Sequence, residues 1–304
     1  MKTIRRGGVT AFAAFAAFAA FTGGAEGQTC EWGPFGRGLP AHATAVAVLD
    51  ENGAAPGGKV LHANHFTLNT MGGFGSRVVR WSGAAWTPLG ADMNRQVNRL
   101  AAFDDGAGEA LYAGGQFSDI GGVPMRSVAR WDGSAWHEVG GGAAFTSTLG
   151  VTGAASIMAM AAADDGGGLA LFVGGSFFTS AGGIPVGGIA RWNGASWSNL
   201  GLGPQVITVL DIAGFDAGAG PAVYIVGMFS QVGGVPVQSV ARWNGSAWSA
   251  VGVLPPGAPP GAAGFRALAV LDDGAGPALY VGGPLLNLPQ GNHVLTWNGA
   301  AWSL

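Results

Sequence analysis

The residues that offer chemistry are few, and they recur. Paired aspartates followed by glycine stand at Asp104-Asp105-Gly106, Asp164-Asp165-Gly166 and Asp272-Asp273-Gly274. Loop carboxylates hold calcium when roughly six to eight oxygens converge, and each of these stretches is too short to supply them alone. Asp and Gly in that order otherwise build tight turns, because both tolerate unusual φ. The histidines, His42, His62, His65, His137 and His293, are scattered without a shared pattern. His62 and His65 are three apart, which in a strand puts them on opposite faces and away from a common metal. No nucleophile motif, phosphate loop or catalytic carboxylate pair stands out, and no cofactor is expected.

These residues are set in a repeat. Val240-Ala241-Arg242-Trp243-Asn244-Gly245-Ser246-Ala247-Trp248 has four further copies, at Val79–Trp86, Val128–Trp136, Ile189–Trp197 and Val294–Trp302, and the copies hold ten of the eleven tryptophans. The first Trp of each pair falls at 81, 131, 192, 243 and 297, so the period is 50 to 61 residues. A period of this size belongs to propellers and solenoids. Asn-Gly between β-prone residues predicts a two-residue hairpin turn, which would pair Trp243 with Ser246 and set the two tryptophans on one face as diagonal neighbours. Core packing is the expected role of such a Trp pair; a stacking platform for sugars is the alternative. The second repeat predicts four strands: Val97 to Phe103, Ala110 to Gln116, Arg126 to Trp131 and Ser134 to Gly140. No 3.6-residue apolar stripe occurs beyond the N-terminus. The fold class is therefore all-β, a β-propeller of five four-stranded antiparallel blades.

Arg80, Arg130, Arg191 and Arg242 each precede the first Trp of a copy. An arginine held there needs a counter-charge, and the expected partner is an aspartate of the turn at the same end of the blade. The fifth repeat has Thr296 at this place and should lack the pair. A ligand-binding ring of arginines is the alternative.

Leu111-Tyr112-Ala113-Gly114-Gly115, followed by Val128-Ala129-Arg130-Trp131 and Trp136, resembles a kelch repeat, and Leu171–Gly175 and Leu279–Gly283 carry the same signature. The resemblance covers 43–304 and implies a propeller whose second strands close on a Gly-Gly pair. It departs at Val226-Gly227, which keeps only one glycine, and at Asn64-His65, where both glycines are replaced. Two other propeller signatures are missing. Asp132-Gly133-Ser134-Ala135-Trp136 has the wrong spacing for a sialidase Asp-box. Tyr112, Tyr224 and Tyr280 occupy one recurring strand position, as structural residues would, instead of forming a copper site with Cys30.

Residues 1–27 read as a secretory signal: Lys2, Arg5 and Arg6 precede an apolar run from Val9 to Phe21, and Ala25-Glu26-Gly27 offers a cleavage site. The protein is thus expected to be exported, to the periplasm, the cell surface or beyond, with no transmembrane segment in the mature chain. Residues 28–42 include Trp32-Gly33-Pro34-Phe35-Gly36, which resembles the fourth-strand stretch Trp86-Thr87-Pro88-Leu89-Gly90. It could close a ring beside the last repeat, compete with that repeat's own fourth strand, or belong to a longer array. Cys30 is the only cysteine, so no internal disulfide supports the fold. Only 10% of residues are charged and the net charge is −3, which argues against nucleic acid as a partner.

A non-catalytic binding or scaffold propeller is the function expected, with a protein or a glycan as partner. A lectin-type propeller with one sugar site per blade gap is the first alternative; a divergent hydrolase or lyase is the second. The turns on the aspartate side are short and alike. The other side carries varied stretches, Gly90 to Gln96, Gly141 to Ser156 and Val253 to Phe265, and specific sites need unlike polar groups converging on a concavity. Asp92, Asn94, Arg95, Asp119 and Gln231 are therefore the candidate ligand contacts.

Overall fold

A computed structural model describes residues 43–50, 59–68, 74–82, 84–146, 152–202, 205, 207–255, 265–283 and 294–303. The expected signal, the 28–42 segment and Cys30 lie outside these residues, as do parts of the two longest loops. The described chain is all-β, with no helix; in particular, no helix there is long and apolar enough to cross a membrane. Each repeat folds into one four-stranded antiparallel sheet whose strands follow one another in chain order. In repeat 2 the strands are Val97–Asp104, Glu109–Gly115, Val128–Trp131 and Trp136–Glu138. Repeats 1, 3, 4 and 5 begin with Val46–Asp50, Ser156–Asp164, Thr208–Asp216 and Ala267–Asp272. A sixth four-stranded sheet and two two-stranded sheets come from the loops.

The first strands stack in sequence order, repeat 1 on 2, 2 on 3, 3 on 4 and 4 on 5. Both faces of each inner sheet are therefore covered, and successive residues of a strand go to opposite neighbours. In the second strand of repeat 2, Leu111 and Ala113 join the core shared with repeat 1, while Ala110 and Tyr112 join the core shared with repeat 3. In repeat 4, Val223 and Ile225 face repeat 3, and Tyr224 and Val226 face repeat 5. The core is thus four interfaces between repeats, which is why these strands read as unbroken apolar runs.

The tryptophan hairpin differs from the sequence expectation. Trp243 pairs with Trp248 across a four-residue loop, with Asn244 N–H donating to the Ala247 carbonyl. The reason is the Asn244 carboxamide, whose oxygen accepts the Ser246 and Ala247 amides at 3.1 and 2.9 Å. That cap keeps Asn244 out of the left-handed region, and Gly245 alone takes positive φ. The two indoles are then direct cross-strand partners, 5.2 Å apart and tilted.

The second Trp of each pair ties its repeat to the preceding one. The indoles of Trp136, Trp197, Trp248 and Trp302 donate to the carbonyls of Leu89, Val139, Leu200 and Val251, at 2.9, 3.1, 2.7 and 2.7 Å. Each acceptor is followed by a glycine at positive φ, from Gly90 to Gly252. A Cβ on Gly90 would lie 2.9 Å from the Trp131 ring, and one on Gly140 2.8 Å from Trp197 Nε1. At Gly90, Gly140 and Gly252 glycine is needed both for the turn and for the close approach of the rings; at Gly201 only the turn requires it.

The Gly-Gly pair has two separate uses. A Cβ on Gly114 would strike Met160 and lie 2.7 Å from Ile157 Cγ2, side chains of the next repeat. A Cβ on Gly115 would strike the backbone of Gln96 and lie 2.9 Å from Val97 Cα, in its own sheet. The second glycine faces a β-bulge, because the first strand skips a residue between Val97 and Arg99. The same bulge lies between Ile157 and Ala159 and between Val209 and Asp211. Where repeat 1 has Asn64 in the first glycine's place, its carboxamide accepts the Ala45 amide at 2.7 Å and donates to the Val97 carbonyl of repeat 2 at 2.9 Å.

Trp248→Ala should cost about 3–5 kcal/mol in urea unfolding, and Trp248→Phe about 1–2 kcal/mol, for a carbonyl left without its donor. A Trp248→Phe transition at the wild-type midpoint would refute the indole's role. Gly115→Ala should destabilise more than Gly114→Ala, since backbone cannot yield as Met160 can. The reverse order in the same measurement would contradict the bulge assignment.

Candidate functional site

The aspartate turns are built as turns. Asp104 Oδ1 accepts the amides of Gly106 and Gly108 at 2.8 and 3.0 Å, and Asp164, Asp216 and Asp272 repeat the arrangement. The next residue reaches outward. Asp105 pairs with Arg130 Nε at 2.6 Å and accepts the Tyr112 hydroxyl at 2.9 Å. Burial alone would raise the Asp105 carboxyl, but the Tyr112 hydroxyl, the Ala107 amide and Arg130 together hold it below the ordinary carboxylate value. Asp165 lies 3.5 Å from Arg191 Nε and accepts the Trp243 indole of repeat 4 at 3.0 Å.

Arg242 departs from the expected pairing. Residue 217, where the second aspartate would stand, is Ala217, and among the described residues no carboxylate lies within ion-pair distance of Arg242. Tyr224 stands opposite Arg242 in the paired strand; burial pushes its phenol up, against the pull of the Arg242 guanidinium. In repeat 5, Asp273 keeps the Tyr280 hydroxyl at 2.9 Å, opposite Thr296. This face is a set of closed structural contacts between neighbours.

The sequence-predicted site residues lie on the other side. Asp92, Asn94 and Asp119 come together where the link from repeat 1 meets a small hairpin, Asp119–Ile120 with Val123–Pro124. Asp92 is clamped by Arg77, Nε to Oδ1 at 2.6 Å and Nη2 to Oδ2 at 2.9 Å. Asn94 Oδ1 accepts the Ser118 and Asp119 amides, and its amide nitrogen donates to Ser118 Oγ at 3.0 Å. Asp119 Oδ1 accepts the Gly122 amide at 2.9 Å. Arg95 is exposed and has no side-chain partner among the described residues. Gln231 sits apart, in the corresponding hairpin of repeat 4, where its carbonyl accepts Gln205 Nε2 at 2.6 Å.

A constellation that sequence reading missed lies on the inner edge. Arg99 of repeat 2 reaches repeat 4: Nη2 lies 3.4 Å from the Leu210 carbonyl and 4.0 Å from Asp211 Oδ1. Repeat 3 stands between these two sheets. Stacked sheets are about 10 Å apart, so in a flat row repeats 2 and 4 would be ~20 Å apart, beyond the combined reach of the two side chains. The row is therefore curved, with the first strands on its concave side. Arg99 and Asp211 both follow the bulge and hold one register position, opposite Gly114 and Val226. The same position in repeats 3 and 5 is Ala159 and Ala267, and in repeat 1 Ala45 precedes the strand. A comparison of the repeats column by column would have found the two charges among three alanines.

Asp211 is anchored by the Leu268 amide on Oδ2 at 2.9 Å and the Ile212 amide on Oδ1 at 3.1 Å. It is crowded by protein, yet 21% of its side-chain surface is open; for Arg99 the figure is 33%. Burial pushes the Asp211 carboxyl up, against the pull of Arg99 and of the two amides. The neighbouring bulge residues are polar or apolar in turn: Asn98, whose Nδ2 donates to the Ile157 carbonyl at 2.7 Å, then half-buried Met158 and Leu210.

Compared with protein-family models the chain matches none, and a search of curated proteins gives no match. Fold and site together define a repeat protein of four-stranded antiparallel sheets in a curved row, compatible with a β-propeller.

Two asparagine variants should diverge with pH. Asp105 is lowered in the folded protein, so its contribution is present above the unfolded carboxylate value of about 3.9 and fades as pH falls below it. Asp105→Asn should be much less stable than wild type at pH 7, and the gap should narrow toward pH 3. Asp211 is raised, so its cost grows as pH rises through the carboxylate range. Asp211→Asn should gain on wild type between pH 4 and 7. Thermal melts from pH 3 to pH 7 check both, and parallel curves would contradict the assignment.

Proposed function

We propose that residues 43–304 form a closed, five-bladed, kelch-like propeller that is exported and serves as a non-catalytic binding or scaffold module. Its ligand is taken on the face of the links and of the loops between second and third strands, around the mouth of the central channel. The observation that carries this reading is the Arg99–Asp211 convergence. It brings opposite charges from two non-adjacent repeats together on the concave side. Asp211 stays there although burial penalises its charge, and shifted groups of this kind concentrate at functional sites. Arg95, four residues before Arg99, is exposed and has no side-chain partner among the described residues. Asp92, Asn94 and Asp119 act as the frame that holds the link and hairpin in place, and Gln231 marks the equivalent rim in repeat 4.

The repeat interfaces favour this placement over sites in every blade gap. Trp136, Trp197 and Trp248 are buried with their indole nitrogens bonded to the preceding repeat, so these rings offer no open stacking face.

Purified chain captured with a protein or glycan ligand should show hydrogen-exchange protection in 90–99, 116–126 and 205–211. Arg95→Ala combined with Asp119→Ala should weaken that complex. Protection concentrated in the turns at 104–108 and 164–168 would place the ligand on the opposite face and refute the reading.

A further inference from the structure

The channel-side pair differs from the other ion pairs of the repeats. Arg130 meets Asp105 at 2.6 Å, and Arg77 meets Asp92 at 2.6 Å. Arg99 and Asp211 stop at 4.0 Å, the outer limit of an ion pair. Neither side chain is free to close the distance. Asp211 is fixed by the Leu268 and Ile212 amides. Arg99 is drawn to two carbonyls, its own neighbour Asn98 through Nη1 at 3.1 Å and Leu210 through Nη2 at 3.4 Å. The site thus presents a fixed donor and a fixed acceptor with a gap between them. Alanine at the three other positions of this level adds no further charge or hydrogen-bonding group beside the pair.

A guest in that gap must accept from a guanidinium and donate to a carboxylate at once. An anion would be repelled by Asp211, and a cation by Arg99; the pair is neutral overall and favours neither. A hydroxyl does both. With hydrogen bonds of about 2.8 Å on each side, one hydroxyl oxygen spans a 4.0 Å donor–acceptor separation. Met158 and Leu210, half-buried at the adjacent bulges, supply apolar surface of the kind that the C–H face of a sugar ring covers. Asn98 keeps its side-chain carbonyl as a further acceptor, since its amide nitrogen is held by Ile157.

We infer that Arg99 and Asp211 form a single carbohydrate-binding subsite on the channel axis, in which one hydroxyl of a neutral sugar bridges the guanidinium and the carboxylate. This rests on the binding reading above and names its ligand class. It differs from a lectin with one site per gap between repeats: stoichiometry is one sugar group per chain.

Ligand-observed NMR with a panel of neutral monosaccharides and oligosaccharides tests it on the full chain. At least one member should bind with one site per chain. Arg99→Met and Asp211→Leu should each weaken that binding at least about tenfold, the worth of one charge-assisted hydrogen bond. Asp132→Asn, on the turn face, should leave it unchanged. Circular dichroism melts check that each variant is folded; if Asp211→Leu is not, Arg99→Met decides. No binding by any sugar of the panel overturns the inference, the gap then holding water alone. Binding that survives both substitutions, or five equivalent sites, overturns it too. A protein ligand that protects the loop face while no sugar binds sinks this inference and leaves the proposed function standing.

Discussion

The indole N–H of the second tryptophan, donated across each repeat boundary, is the constraint on which the rest of the structure depends. A four-stranded sheet of this size has two apolar faces and cannot cover either by itself. Stacking the repeats covers both, but stacking alone does not fix the angle between neighbours. The bond from Trp248 to the Leu200 carbonyl does, because the acceptor sits at the exit of the preceding fourth strand. The glycine after that carbonyl takes the positive φ that ends the strand, and the hairpin cap at Asn244 places the two indoles opposite each other. Repeated along the chain, one angle becomes curvature, and curvature brings Arg99 to Asp211.

The two ends of the sheets divide the work. On the turn side, Asp105, Asp165 and Asp273 are each bonded to an arginine or tyrosine of their own repeat, and the turns of repeats 3 and 4 are met by the hairpin of the next repeat: a Cβ on Gly245 would lie 2.6 Å from the Asp165 carbonyl, and one on Gly299 2.6 Å from that of Ala217. Polar groups there are spent on holding neighbours together. On the other side, links and hairpins vary in sequence, and Arg95 and the Arg99–Asp211 pair keep hydrogen-bonding capacity. A buried carboxylate without a close counter-ion opposes folding, so Asp211 is a local cost that the surrounding interfaces offset.

Much of the fold was legible because the repeat multiplies weak signals. The Asp-Gly turn, the aromatic second strand and the Trp pair located four strands in repeat 2, the recurring Trp pairs extended them to the others, and the Trp pairs fall at the interfaces as expected. The Asp105–Arg130 and Asp165–Arg191 pairs followed from strand direction alone. The hairpin register did not, because Asn-Gly supports two loops, and only the Asn244 carboxamide, capping two amides, selects the longer. Arg242 was misassigned because the turn of repeat 4 keeps its first aspartate while Ala217 replaces the second. The bulges left no mark beyond the second glycine of each pair. Arg99 and Asp211 were invisible to any reading of one repeat at a time, since their meeting depends on the angle between sheets.

The most direct test of the account is whether residues 99 and 211 face each other across the concave side. In a Cys30→Ser background, Arg99→Cys and Asp211→Cys can be joined by a short bismaleimide. The account predicts an efficient intramolecular crosslink in native buffer that is lost in concentrated urea. Failure of the native protein to crosslink, with both thiols reactive toward a monofunctional maleimide, would show that repeats 2 and 4 stand apart and that the row is not curved as described.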